Sequence, residues 1–366
     1  MDFYMPARLL TGRDVVRKNA DRIAAFGCRC LIVTSGSAAK RCGALDDVTG
    51  VLTEKGIAYE VFDEIRPNPS MYSCMDGGRE AAQFRADFVV GIGGGSALDS
   101  AKVIAVFAAN QDLDADSIYQ MKWQNRALPV ILIGTTAGTG SEVTRVAVIT
   151  DTKGKKHSMH DDMLYAALAF GDPRYTESMP LRVTASTGVD ALAHCLESYF
   201  SKKANDVSRA FALKGIEQLL KPLENIAAGK IPTEEEREVL YDGSILGGLA
   251  ICVTGTVMAH NLGYYLTENY GVPHGFACTV FHPALLRHAA ACAPEYTAEM
   301  LRRVGTDLDS LIALIKALTP EPEVKLSAEQ IEGILPRWEN NGSVKNTVGE
   351  VTVDQIRQIF KELFSE

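Results

Sequence analysis

Asp190 and His194 stand four residues apart in the run TASTGVDALAHCLESYF. If that run is a helix, the spacing puts a carboxylate and an imidazole on one face, within reach of one ion. The neighbouring residues are apolar or small, so the face is buried, and a buried carboxylate needs a cation or hydrogen-bond donors. His260 follows the uncharged stretch Gly243–Ala259, and His274 stands in the turn Val272-Pro273-His274-Gly275. Together these four groups make a set of three imidazoles and one carboxylate. Such a set suits Zn2+ or Fe2+ and does not suit Ca2+. With a position left open for substrate, the ion would polarise a bound oxygen as a Lewis acid. Plainer readings remain open at this point: an Asp–His hydrogen bond along the helix, a satisfied core histidine at 260, and an exposed loop histidine at 274. The other four of the seven histidines, His157, His160, His282 and His288, have no comparable setting.

Two glycine-bearing turns make the second constellation. Gly93, Gly94, Gly95 and Ser96 follow the strand-like Asp87–Ile92 and precede the helix-like Ala97–Ala108. Glycines let a backbone approach a phosphate, and the free N–H groups of a helix N-terminus face its charge. The G-x-G-x-x-G pattern is absent, so this turn alone is equally a structural one. The second turn, Thr135–Ser141, follows the strand-like Pro129–Gly134 and offers hydroxyls from Thr135, Thr136, Thr139 and Ser141. Two such turns at strand C-termini fit the place where open α/β sheets bind nucleotides. Asp99 and Lys102, in the following helix, read either as a dipole-facing carboxylate with a surface lysine or as cofactor contacts.

The elements that must position these groups divide the chain in two. Strand-like Cys30–Thr34, Ala58–Phe62, Asp87–Ile92 and Pro129–Gly134 alternate with helix-like Val15–Phe26, Asp47–Lys55, Met75–Phe84 and Ala97–Ala108. This alternation predicts an α/β class with a doubly wound parallel sheet. From about Pro180 onward the patterns are helical, at Val183–Tyr199, Asp206–Ala228, Thr233–Val257, Thr297–Leu318 and Val353–Phe364. The expected organisation is residues 1–178 as a dinucleotide-binding domain and 179–366 as an all-helical metal-binding domain. The uncharged stretch Gly243–Ala259 is too short to span a membrane comfortably and is expected to be an enclosed core helix.

Composition narrows the function classes. The chain has 366 residues, 46% of them hydrophobic and 23% charged, with a net charge of −9. This is ordinary globular usage, and the acidic balance disfavours nucleic acid and anionic membranes as partners. The eight cysteines form no C-x-x-C pair, and the N-terminal segment has no apolar signal region, so a reduced, cytoplasmic protein is expected.

Five ordered segments carry a resemblance to the iron-containing (group III) alcohol dehydrogenase family. They are Arg66-Pro67-Asn68-Pro69, Gly93–Lys102, Thr135–Thr144, Ser186–His194 and Ala259–Gly275. The resemblance covers nearly the whole chain. It implies a Rossmann-like N-terminal domain, an all-helical C-terminal domain and a site in the cleft between them. It further implies hydride transfer between NAD(P)(H) and a small primary alcohol, diol or aldehyde, with a metal polarising the substrate oxygen. Carried over residue by residue, the metal ligands would be Asp190, His194, His260 and His274, with Fe2+ the first choice and Zn2+ the alternative. The Gly93–Ser96 turn would hold the pyrophosphate. Thr135, Thr136 and Ser141 would face the cofactor from the second turn, with Asn68 and Asp99 near its ends and Lys156 at the ribose. A homodimer is implied too, in which Phe3–Gly12 would pair as an edge strand across the interface; a hairpin within one chain is the alternative.

Two departures refine that resemblance. Many members carry a second histidine four residues after the third ligand; here Tyr264 stands there, as in the short branch that includes 1,3-propanediol dehydrogenase-like proteins. NAD-preferring members often place an aspartate after the strand corresponding to Cys30–Thr34, where this chain has Ser35-Gly36-Ser37 followed by Lys40 and Arg41. Without a carboxylate a 2′-phosphate is not repelled, so NADP(H) is expected to be preferred over NAD(H), with Ser37 among its contacts. Three competitors are a maleylacetate reductase-like enzyme, a dehydroquinate synthase-like lyase and a non-enzymatic metal- or nucleotide-binding protein. The lyase would need several Lys and Arg near the metal, and the segments around Asp190, His260 and His274 hold almost none.

Overall fold

The computed structural model describes residues 3–365. They form two compact units, one of Tyr4–Pro180 with Thr233–Tyr241, the other of Leu181–Pro232 with the chain from Asp242 onward.

The first unit is built on a six-stranded parallel sheet. Its strands are β1 (Arg8–Thr11), β2 (Arg29–Ser35), β3 (Ala58–Ile65), β4 (Phe88–Gly93), β5 (Val130–Gly134) and β8 (Leu168–Gly171). They lie in the order β1-β8-β5-β4-β2-β3. Strand side chains alternate between the two faces. Thus Leu31, Val33, Val89, Val130 and Leu132 join one buried cluster. Cys30, Ile32, Val90, Ile131 and Ile133 join another on the opposite side. Helices cover both faces, and so the central strands read as continuous apolar runs. The principal ones are α1 (Ala44–Glu54), α2 (Met71–Phe84) and α3 (Gly95–Ala109). The chain reverses its direction of travel across the sheet between β2 and β4, and the Gly93–Ser96 turn leaves β4 there.

Several expectations change. Val15–Phe26 is two short helices, Val15–Lys18 and Ala20–Ala24, broken at Asn19. The β1 segment forms no hairpin; it pairs in parallel with β8 inside the chain, at one end of the sheet. A two-stranded antiparallel sheet of β6 (Val146–Thr150) and β7 (Lys156–His160) was not foreseen.

Lys102 is neither a surface lysine nor a free cofactor contact. Its side chain is fully buried, and Nζ donates to Ser141 O at 2.8 Å, Ser141 Oγ at 2.8 Å and Val146 O at 2.7 Å. One turn earlier, Asp99 Oδ1 accepts from the Ser141 hydroxyl at 2.5 Å and Oδ2 accepts from Val148 N–H at 2.9 Å. The pair on α3 therefore ties down both the second glycine-bearing turn and the start of the β6–β7 hairpin.

The second unit is helical, and among the described residues no named strand follows Gly171. The helices that carry the expected ligands are α4 (Leu181–Tyr199), α7 (Met258–Tyr270) and α8 (His274–Thr279); α5 (Asp206–Ala227), α9 (His282–Cys292) and the part of α6 (Glu234–Thr254) from Asp242 onward also belong to this unit. The uncharged stretch is not one enclosed helix. Its helix ends at Thr254, Gly255 turns at φ 66°, and a new helix starts at Met258. Likewise Thr297–Leu318 is two helices, Pro294–Val304 and Leu308–Leu318, separated where Gly305 adopts φ 73°. Among the described residues no single helix is long and apolar enough to cross a membrane.

Removing one member of a buried ion pair typically costs about 3–5 kcal/mol. Lys102→Met should therefore lower the melting transition by several degrees, measured by differential scanning calorimetry. A transition unchanged within a degree would mean the Lys102 ties contribute nothing to stability.

Candidate metal and cofactor sites

Three helices of the second unit bring three of the four expected metal-binding residues, Asp190, His260 and His274, into one cluster, with His194 beside it. Asp190 and His194 lie on α4, His260 in the first turn of α7, and His274 at the first position of α8. The approach is enforced by backbone contact. A Cβ on Gly275 would lie 1.9 Å from the carbonyl oxygen of Ser186, so only glycine lets α8 rest on α4. One on Gly263 would lie 2.7 Å from Ala277 O, so α7 and α8 also touch at the backbone.

One ligand atom from each of Asp190, His260, His274 and Cys278 lies within 4.8 Å of the other three. His194 stands beside this group, its ring stacked on His260 with centroids 4.7 Å apart. Asp190, His194 and His260 are buried, whereas His274 is partly exposed, so the cluster is approached from the His274 side. Asp190 Oδ1 and His260 Nε2 are 3.5 Å apart, and neither has a hydrogen-bond partner. Two buried polar atoms that face each other without a hydrogen-bond partner are placed as ligands of a cation would be. The donor set therefore fits a divalent ion.

The electrostatics agree. Burial pushes the Asp190 carboxyl up, but His194 and His274 outweigh it and hold it well below the usual carboxylate range. Burial alone would lower the His260 value; Cys278, Glu197 and Asp190 raise it well above the usual imidazole range. The pocket favours positive charge between its carboxylates, and a divalent ion supplies it without a proton.

Three features went unforeseen. Cys278, one turn after His274, brings Sγ to 3.5 Å from His274 Nδ1. Glu197 and His282 stand behind His260, fully buried. Both Glu197 and Cys278 continue a helical spacing (190, 194, 197 and 274, 278) that was available to reading by periodicity. Tyr264 lies parallel to the His274 ring with centroids 5.7 Å apart. The remaining histidines lie elsewhere: His157 stacks on Tyr119, and His288 Nε2 meets Val348 O at 2.9 Å.

In the first unit, Gly93 adopts φ 154° and a Cβ there would meet Ala97, so the turn into α3 depends on glycine. Gly94 caps α3 without a side-chain hydrogen bond, leaving the helix start to the backbone. A Cβ on Gly94 would approach Thr136 at 3.2 Å, and Thr135 N–H donates to Gly93 O at 2.9 Å, so the two turns lie side by side. A bare helix N-terminus beside hydroxyl groups fits the phosphates of a dinucleotide. Ser141 and Asp99 are in this neighbourhood, but their side chains are engaged with each other and with Lys102. Asn68 is exposed at φ 56°, its carbonyl accepting from the Thr150 hydroxyl, while Lys156 pairs opposite Thr150 in the hairpin. Past the end of β2 lies a cavity of about 410 Å³, lined by Ser37, Lys40 and Arg66 but also by Asp63 and Glu64. Ser37 Oγ accepts a hydrogen bond from Arg41.

A parallel-sheet unit with a bare glycine turn and a helical unit with a histidine–carboxylate cluster define a metal-dependent, nicotinamide-linked oxidoreductase. The chain belongs to the iron-containing alcohol dehydrogenase family. Residues 6–173 match the family described as iron-containing alcohol dehydrogenase, and residues 184–337 match its C-terminal domain. The chain is 34% identical over 287 residues to alcohol dehydrogenase 4 of Schizosaccharomyces pombe, covering 78% of this chain and 67% of that protein. It is 31% identical over 334 residues to 1,3-propanediol dehydrogenase of Citrobacter freundii, covering 90% and 86%. Among solved structures, an iron-containing alcohol dehydrogenase of Thermotoga maritima superposes with a TM-score of 0.91 at 36% identity, over 99% of each chain.

A Cβ forced against a backbone carbonyl cannot be relieved by a rotamer change, and overpacking costs about 1–3 kcal/mol or more. Gly275→Ala is expected to lower the melting transition by several degrees and to reduce bound metal, measured by calorimetry and elemental analysis. A variant matching the parent in both would remove the backbone contact from the account.

Proposed function

We propose that Asp190, His194, His260 and His274 hold one divalent ion, Fe2+ in the first instance and Zn2+ as the alternative. The observation that carries this reading is the pair of orphaned buried atoms, Asp190 Oδ1 and His260 Nε2, inside a cluster of imidazoles. When bound, such an ion supplies Lewis acidity toward a substrate oxygen and favours its deprotonated form. The chain's own residues supply the setting. Asp190 offsets the ion's charge, burial of the α4 and α7 ligands excludes water, and half-exposed His274 leaves an open side for substrate. Tyr264, against His274, borders that side.

The cofactor is assigned to residues 1–178 and the metal to 179–366. Gly93, Gly94, Gly95 and Ser96 would take the pyrophosphate and Thr135 and Thr136 the adjoining face. Asn68 and Lys156 would contact the outer parts of the cofactor. Asp99 and Ser141 would act by holding the second turn in place, since their side chains are engaged with each other. Lys40, Ser37 and Arg66 line one cavity and would face a 2′-phosphate there, which supports NADP(H) over NAD(H). Asp63 and Glu64 line the same cavity and oppose the cations, so the preference depends on which of these side chains the 2′-phosphate meets.

The substrate class is small primary alcohols, diols and their aldehydes, in line with relatives named 1,3-propanediol dehydrogenase and lactaldehyde reductase. We further propose a cytoplasmic homodimer, with β1 at the end of its sheet as the element offered to a second copy.

Absorbance at 340 nm tests the assignment with a panel of short alcohols and aldehydes. NADP(H) should give a kcat/KM at least about tenfold above NAD(H), a difference of about 1.4 kcal/mol. Chelation should abolish turnover, and Fe2+ or Zn2+ should restore it. A preference for NAD(H) would overturn the cofactor choice; turnover that survives complete metal removal would overturn the metal's role.

A further inference from the structure

Glu197 is a fully buried carboxylate that the proposed chemistry does not use. It lies on α4 seven residues after Asp190 and three after His194, on the same face of the helix. Its Oε1 bonds His260 Nδ1, the ring nitrogen opposite the one facing Asp190. Its Oε2 accepts the N–H of Val257 at 2.6 Å, in the residue before α7 begins. His282 Nε2, at the start of α9, lies 3.3 Å from Oε1. The other His282 nitrogen donates to the carbonyl of Cys278 at 3.1 Å, since a carbonyl can only accept. One carboxylate thus joins α4 to the start of α7 through two bonds, while His282 Nε2 makes no hydrogen bond to it.

An imidazole can present a lone pair on one nitrogen only when the other carries the proton, and the hydrogen bond at the second nitrogen decides which. A carboxylate at Nδ1 keeps the proton there and turns the Nε2 lone pair outward. We propose that Glu197 is the positioning residue of the metal site: it fixes His260 with Nδ1 protonated and Nε2 toward the ion, and the N–H of Val257 holds Glu197 for that task. The proposal rests on the reading of Asp190, His194, His260 and His274 as the ion's ligands.

The test uses the full-length chain loaded with Zn2+, with affinity measured by competition against a chelating dye. Glu197→Gln keeps the shape and removes the charge. It should weaken Zn2+ by about 10–100-fold while the melting temperature of the metal-free form stays within a few degrees of the parent. An unchanged affinity would overturn the proposal. A tautomer readout covers the case in which the variant does not fold. In the Zn2+-loaded parent, ¹⁵N NMR should show His260 with a proton on Nδ1 and the shifted signal on Nε2. A metal-shifted Nδ1 would overturn the proposal. A parent chain that retains no Zn2+ would instead overturn the metal reading beneath it, so the two failures are told apart.

Discussion

The histidine–carboxylate cluster depends on the backbone of α8 resting against the backbone of α4. Ligands from three helices converge on one point only if the helices approach more closely than ordinary side chains permit. Gly275 against Ser186 O and Gly263 against Ala277 O provide that approach. His274 then begins α8 where its ring reaches Asp190 and His260, and Cys278, one turn on, is carried to the same place. The chemistry is thus downstream of a steric requirement, and glycine is the residue that meets it.

The first unit solves a different problem with a buried ion pair. A turn proposed to face a cofactor must be open and yet hold its shape. Asp99 and Lys102 achieve this from beneath, by taking up the polar groups of Ser141, Val146 and Val148. Their hydrogen bonds satisfy both charges, the condition under which a buried pair is tolerable. The Thr135–Ser141 turn and the Gly93–Ser96 turn are then adjacent, joined by the bond from Thr135 N–H to Gly93 O.

Much of this was legible in the sequence. The central strands are apolar throughout because both faces are covered, and the runs at 30–34, 87–92 and 129–134 declared themselves for that reason. Spacing on one helix likewise exposed Asp190 and His194. The hairpin was hidden because four of the five residues in Lys156–His160 are polar or charged, so the strand carries no apolar run. Gly255 and Gly305 ended helices that apolar periodicity carried through them. Lys102 and Glu197 were missed for a common reason. A charged residue in a helix is usually solvated, and only the fold reveals which ones are enclosed and what neutralises them. Family resemblance pointed to Asp190, His194, His260 and His274, but the groups behind them became visible only in three dimensions.

A cluster of imidazoles around one carboxylate, open on the His274 side, is the place we propose for the family's chemistry in this chain. The departure at Tyr264 leaves that cluster intact and alters only its border. The most direct measurement is anomalous X-ray scattering, at the iron and zinc edges, from crystals of protein purified without air. One peak per chain is predicted, with Asp190, His194, His260 and His274 as its protein ligands. A peak bound by Cys278 in place of His194, or a catalytically active protein with no peak at these helices, would contradict the account.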